Sequence, residues 1–234
     1  VLGVVAATEA AYAGALHLRL EGGTALAAYH LHHRESADLD VFGDLALNAR
    51  DFAVRVTERL AAAGLQAKSV GPSSEGFAEL TVTDAPAGET PLRLQLVRGS
   101  PFRLAPTQAT TEGLRVASFR DLCAGKFHAV CDRFEPRDFI DVHVILRQPL
   151  DGPPPTLEAM GHRFRAVIAD LMASDPGLTP QVIGPAFERA LHGRLVSRFP
   201  LRLLVPLDDD AVDATVVFCC EEMARLVASG WHPS

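Results

Sequence analysis

Two short stretches hold the residue types that chemistry on a phosphate requires. The first is Gly22-Gly23-Thr24. Glycines let a backbone come close to a ligand, and a turn of this kind that opens a helix offers free N–H groups to an anion. The second is Asp38-x-Asp40. On a strand, two carboxylates two residues apart share one face, about the geometry that holds a divalent cation against phosphate oxygens. Without a cation or solvent their like charges repel. Each stretch alone has a plain structural reading, a Gly-Gly as a turn and a D-x-D as a solvent-facing strand. The glycine turn has neither the Walker lysine nor the dinucleotide spacing. The order of turn, short helix, short loop and D-x-D strand is what sets a phosphate cradle beside a cation site.

The elements that must position these residues follow from the surrounding pattern. A short helix is expected over residues 9–17, then an apolar run over 18–20 that meets the glycine turn. A helix over 24–31 follows, with Ala25, Leu26 and Tyr29 on one face. Residues 38–42 alternate with strand period, Asp38 and Asp40 on one side and Leu39 and Val41 on the other. An amphipathic helix over 49–63 shows Phe52, Val56 and Leu60 spaced by four, with Gly64 as its stop. Strands over 77–82 and 92–97, joined by a Pro- and Gly-containing linker over 84–91, read as an antiparallel hairpin with a long loop. Residues 101–111 read as irregular.

From Ser118 the texture changes. Ser118 and Asp121 resemble a capping box opening a helix to about residue 134. Pro136 interrupts it, and a helix restarts over 137–146. Residues 149–155 are a Pro-rich linker. Helices follow over 162–173, 180–195 and 210–229, the last with Val212, Val216, Cys220, Met223 and Val227 along one stripe. The fold class expected is α+β: a small mixed β-sheet flanked by helices over 1–116, then a helical half over 117–234 contributing to the site cleft.

Bulk properties narrow the function classes. The net charge of −7 is not that of a nucleic-acid-binding surface as a whole, although Arg residues are dense between Arg93 and Arg147. No apolar run is long enough to cross a bilayer. The apolar, alanine-rich stretch over 1–16 has no basic segment before it and reads as an ordinary helix rather than a trimmed export signal, because a mature protein would normally have lost a signal altogether. Of the four cysteines, Cys123 and Cys131 lie about two turns apart and Cys219 and Cys220 are adjacent, which suits neither a disulfide nor a zinc site. A cytoplasmic location is therefore expected. His30, His32 and His33 lack further ligands at zinc spacing and are expected to flank the nucleotide pocket or face solvent.

Glu21-Gly22-Gly23-Thr24-Ala25-Leu26-Ala27, followed by His33-Arg34-Glu35-Ser36-Ala37-Asp38-Leu39-Asp40-Val41-Phe42, resembles the AbiEii/AbiGii toxin family, nucleotidyltransferase-like proteins of the DNA polymerase β-like superfamily. A second block is similar to that family's later motifs: Asp121-Leu122-Cys123-Ala124-Gly125-Lys126-Phe127-His128-Ala129, then Arg133 and Arg137-Asp138-Phe139-Ile140-Asp141. The resemblance implies a nucleotidyltransferase fold. It implies that Gly22, Gly23 and Thr24 contact a nucleoside triphosphate, that Ser36 positions phosphate or metal, and that Arg34 supports the loop. Asp38 and Asp40 would bind Mg²⁺, Lys126 would neutralise charge on the phosphates, and Asp138 or Asp141 would complete the site. The partners implied are a nucleoside triphosphate, a tRNA or other RNA acceptor and a cognate antitoxin. Superfamily members generally take a third carboxylate from a neighbouring strand. Here the strand over 92–97 offers Gln95, leaving Glu79, Asp138 and Asp141 as candidates. Alternatives are a nucleotide-binding or interaction protein that keeps the fold without turnover, and a small-molecule nucleotidyltransferase of the same superfamily.

Overall fold

A strand that alternates polar and apolar residues is stable with one face covered and the other reachable by solvent. The strand β2 (Asp38–Gly43) has this form, with Leu39, Val41 and Gly43 buried and Asp38, Asp40 and Phe42 half-buried. The computed structural model describes residues 1–36, 38–84, 91–133, 135–149, 152–192 and 201–233. They divide into two units, Val1–His30 with Ser36–Ser118, and Leu31–Glu35 with Phe119–Ser234.

The first unit is built on a seven-stranded mixed sheet. Its strands are β1 (Arg19–Glu21), β2, β3 (Leu65–Ser69), β4 (Phe77–Asp84), β5 (Leu92–Arg98), β6 (Gln108–Ala109) and β7 (Arg115–Val116). The order β3-β4-β5-β2-β1-β7-β6 puts the D-x-D strand at the centre. β2 runs antiparallel to β1 and parallel to β5, while β4 pairs antiparallel with both β3 and β5. The helices are α1 (Leu2–Ala10), α2 (Gly22–Leu26), which continues as a π-helical turn over Ala27–Leu31, and α3 (Ala49–Ala62). The Asn48 side chain caps α3 by accepting from the Asp51 N–H. The helix packs on β3, β4 and β5, burying Phe52, Val56 and Leu60. Ala78, Leu80, Leu94 and Leu96 are buried in β4 and β5.

The second unit consists of α4 (Phe119–Asp132), α5 (Pro136–Leu146), α6 (Leu157–Ser174), α7 (Pro180–His192) and α8 (Asp209–Ser229), with the segment Leu31–Glu35. Phe127, Phe164, Phe187 and Phe218 form an aromatic cluster at its core, with ring centroids 5.7 to 6.2 Å apart. The 31–35 segment is held by backbone bonds to residues 202–204: Leu204 N–H donates to His33 O at 2.9 Å and Glu35 N–H to Arg202 O at 2.8 Å.

The α+β class and the expected order of major elements hold, and the differences have local causes. The first helix spans 2–10 rather than 9–17, because Ala13, Gly14 and His17 adopt positive φ and turn the chain. The helix expected over 24–31 starts two residues earlier and loosens into the π-helical turn. The edge strand β3 is absent from the expected elements: Leu65 and Ala67 alternate with polar residues, but over only five largely exposed positions. The stretch 101–111, expected to be irregular, carries the two-residue strand β6, held by pairing with the equally short β7. α6 begins at Leu157 rather than 162, because the Thr156 hydroxyl caps the Ala159 N–H. The hairpin loop over 85–90, residue 134 near the expected end of the first long helix, residues 150–151 of the Pro-rich linker and the stretch 193–195 of the penultimate helix lie outside the described residues.

Replacing Phe164, which touches three other rings of the cluster, should expose the dependence of the second unit on it. Phe164→Ala is expected to lower unfolding stability by about 3–5 kcal/mol in urea titration, with little change in m-value.

Candidate nucleotide site

The register of the central strands places four polar residues in one row. Glu21 lies opposite Asp40 on β1 and β2, Asp40 opposite Gln95 on β5, and Gln95 opposite Glu79 on β4. Asp38 lies opposite Arg93 in the adjoining row. The outer carboxylates of the row are held by arginines. The buried Arg19 donates to Glu21 Oε1 at 2.6 Å and to Asp44 Oδ1 at 3.0 Å. The Arg93 guanidinium donates to both Glu79 oxygens at 2.9 Å, and Gln95 Nε2 donates to Glu79 Oε2 at 2.8 Å. Those Arg93 hydrogen bonds hold Glu79 below the usual carboxylate range, against the opposing effect of burial. Arg93 in turn is held protonated first by Glu79, with the charges of Asp38 and Asp40 adding to the effect.

The glycine turn meets this row at closest approach. Gly22 has φ +70°, and a Cβ built on it would lie 1.9 Å from Asp40 Oδ2. Any side chain at residue 22 would occupy the space of the carboxylate. Thr24 anchors the turn to the same strand by donating its hydroxyl to Asp38 O. Gly22, Gly23 and Thr24 on α2 and Asp38 and Asp40 on β2 are therefore brought together, with Ser36 half-buried just ahead of β2. Two same-face carboxylates beside a side-chain-free turn fit a hard divalent cation, which takes oxygen ligands. Among the described residues, no group of three or more His, Cys, Asp or Glu is arranged to hold a metal ion. Further ligands to a cation held here would therefore be neutral protein oxygens, water or phosphate.

The remaining expected residues meet in the second unit, in a buried charge network. Asp141 accepts from Arg34 Nε at 2.8 Å, Arg34 Nη2 at 2.9 Å and His33 Nε2 at 2.7 Å, and its Oδ2 lies 2.8 Å from Lys126 Nζ. Lys126 also donates to Asp138 Oδ1 at 3.1 Å, and Arg133 binds Asp138 through Nε and Nη2, each at 2.8 Å. Asp138 and Asp141 are fully buried and Lys126 is 4% exposed. Burial alone would raise the Asp141 carboxyl. The Lys126 charge and the hydrogen bonds from Arg34 and His33 outweigh it and hold the group well below the usual carboxylate range. Asp138 is likewise lowered: burial opposes, and Arg133 and Lys126 prevail.

The three histidines take separate environments. His33 is fully buried on Asp141, which corrects the solvent-facing alternative for it. His30 Nε2 lies 3.3 Å from Ala117 O, and His32 is exposed with φ 50°. What the sequence did not reveal is the partnership of Arg93 with Glu79 and of His33 with Asp141; the first is set by strand register, the second spans 108 positions. Among the described residues, no helix is long and apolar enough to cross a membrane.

Comparison with known proteins gives a family and a fold. A family model described as "Nucleotidyl transferase AbiEii toxin, Type IV TA system" matches residues 6–214. Among solved structures, the chain is similar to a candidate nucleotidyltransferase from H. pylori, with 15% identity, TM-score 0.53, and 98% of this chain and 94% of that one covered. It is similar to JHP933 from Helicobacter pylori, with 15% identity, TM-score 0.50 and coverage of 97% and 91%. It is also similar to MenT4, a nucleotidyltransferase toxin from Mycobacterium tuberculosis H37Rv, with 17% identity, TM-score 0.51 and coverage of 97% and 86%. At these identities the structures show a shared fold. No curated protein sequence matches the chain.

Two outcomes test the geometry. Gly22→Ala should destabilise more than Gly14→Ala, since Gly14 has similar backbone geometry (φ +73°) but nothing within 4 Å of an added Cβ. The Gly14 change should cost about 1–2 kcal/mol, and the Gly22 change at least about 1 kcal/mol more, in paired thermal melts. In the second unit, Asp141→Asn removes the counter-charge that the buried Arg34 and Lys126 share, leaving Lys126 with Asp138, and should cost about 3–5 kcal/mol. The wild-type contribution is present above the ordinary aspartate value of 3.8 and is lost as pH falls below it towards the lowered folded value. An acid titration of unfolding free energy should therefore be flatter in the Asn variant.

Proposed function

We propose, on the premise that this chain belongs to the AbiEii nucleotidyl transferase toxin family, that it transfers a nucleoside monophosphate from a nucleoside triphosphate to an acceptor hydroxyl, with tRNA as the acceptor. In this reading it acts in the cytoplasm as the toxin of a pair with a cognate antitoxin, and pyrophosphate is the leaving group. The observation that carries the reading is the approach of Asp40 to the Gly22 turn, closer than any side chain at residue 22 would allow.

Asp38 and Asp40 would hold Mg²⁺. Bound there, the cation would draw charge from the phosphate oxygens and help align the triphosphate. The chain's own residues do the remaining work. Gly22 and Gly23 leave the turn open for phosphate oxygens, and Thr24 fixes that turn on Asp38 O so the cradle keeps its distance from the carboxylates. Arg93 offsets the negative charge of Asp38 and Asp40 from the neighbouring strand. In the second unit, Asp141 fixes His33 and Arg34, the residues just ahead of Ser36 and Asp38, while Lys126 and Asp138 brace Asp141. No general base is assigned, because Glu79 is engaged by Arg93 and Gln95 and transfer of this type depends mainly on positioning and electrostatics.

One observation favours the second reading, a nucleotide-binding protein without turnover. The β5 residue paired with Asp40 is Gln95, a neutral amide that cannot accept the proton of an attacking hydroxyl. Incubation with each α-labelled nucleoside triphosphate, Mg²⁺ and total tRNA separates the two. Labelled tRNA is expected, reduced on the order of 10²–10³-fold in Asp40→Asn. Nucleotide retained on the protein with no labelled acceptor, unchanged in Asp40→Asn, would support the second reading instead.

A further inference from the structure

Gln95 is oriented as no isolated amide would be. Its neighbour on β4, Glu79, is 7% exposed and is gripped through both oxygens by Arg93. A carboxylate paired in this way has only acceptors to offer. Gln95 must therefore present its NH₂ group to Glu79, and Nε2 does so at 2.8 Å. The orientation of the amide is thus fixed by chemistry and does not depend on an ambiguous choice between its nitrogen and oxygen. Its carbonyl oxygen is turned out of the contact with β4. On the opposite side, the strand paired with β5 is β2, and the residue in register with Gln95 is Asp40. Adjacent strands lie about 4.8 Å apart, so an oxygen on Gln95 and the carboxylate of Asp40 can reach one ion.

We infer that Gln95 supplies a neutral third oxygen to the cation site of Asp38 and Asp40, and that Glu79 with Arg93 is the positioning pair that aims it. Amide carbonyls are ordinary ligands of hard divalent cations. The arrangement accounts for a carboxylate and a guanidinium committed to one amide, and for a cation site without a third acidic ligand among the described residues. It gives the site one negative charge fewer than three carboxylates would. Divalent ions are then held more loosely and rely more on the oxygens of the triphosphate. The inference rests on the reading of Asp38 and Asp40 as the cation site.

Mn²⁺ alone, titrated onto the intact chain and followed by the loss of free-ion signal in electron paramagnetic resonance, tests it without any turnover. Gln95→Leu should weaken Mn²⁺ binding about tenfold or more, while Gln95→Glu should tighten it. Glu79→Gln should weaken it by a smaller factor, because the amide is then free to turn. If Gln95→Leu does not fold, Gln95→Asn keeps the amide but shortens its reach, and it carries the same expectation. A residue that merely props Glu79 would leave Mn²⁺ affinity in Gln95→Leu the same as in wild type. That result, with binding lost in Asp40→Asn, overturns the role of Gln95 and leaves the cation site standing. Binding that is absent in wild type, or unchanged in Asp40→Asn, overturns both.

Discussion

The first unit is arranged around a space too small for a methyl group. The Asp40 carboxylate lies where the side chain of residue 22 would begin. Only glycine permits this, both because of the crowding and because φ at Gly22 is positive. The pairing of β1 with β2 brings the contact about: Glu21 is opposite Asp40, so the turn that follows Glu21 must pass beside it. Thr24 closes the arrangement from the other end of the turn. Turn and carboxylates are consequently held against each other, and in the proposed reading such placement is most of what catalysis of phosphoryl-type transfer requires.

Charge is managed differently in the two units. On the sheet, the carboxylates flanking the central pair are each matched by an arginine on the same or a neighbouring strand, Arg19 for Glu21 and Arg93 for Glu79. These pairs sit at the margin of a half-buried face. In the helical unit, two aspartates, a lysine, an arginine and a histidine are sealed almost wholly from water, with Arg133 reaching in from a more exposed position. Removing charges from water is costly, and a buried network of this kind adds little to stability over an apolar core. What it does is tie the 33–34 segment to α4 and α5, since both oxygens of Asp141 are taken by His33, Arg34 and Lys126.

Much of the candidate site could be read in advance because its signals are local. The alternation of Asp38 and Asp40 with Leu39 and Val41 fixes their shared face, and the glycine pair announces a turn whatever surrounds it. The Gln95 polar face was equally readable from strand period. Partnerships were not readable, because they depend on register and on chain folding over long separations. Nothing in the neighbourhood of His33 indicates that an aspartate 108 positions later will bind it. Glu79 looked available as a carboxylate until strand pairing set it next to Gln95 and within reach of Arg93. β3 gives a weak signal because its alternation covers only Leu65 and Ala67, both only half-buried.

The segment Leu31–Glu35 leaves the first unit and returns to it within five residues, yet groups with the second. The chain therefore has no single point at which the units can be parted. A fragment ending at Ser118 would retain His33 and Arg34 but not the aspartate they share, nor the backbone at 202–204 that flanks them. The two units must be inherited together. Exchange of the helical half alone would break a bond set that lies on both sides of residue 118 in the chain, because His33 and Arg34 depend on Asp141.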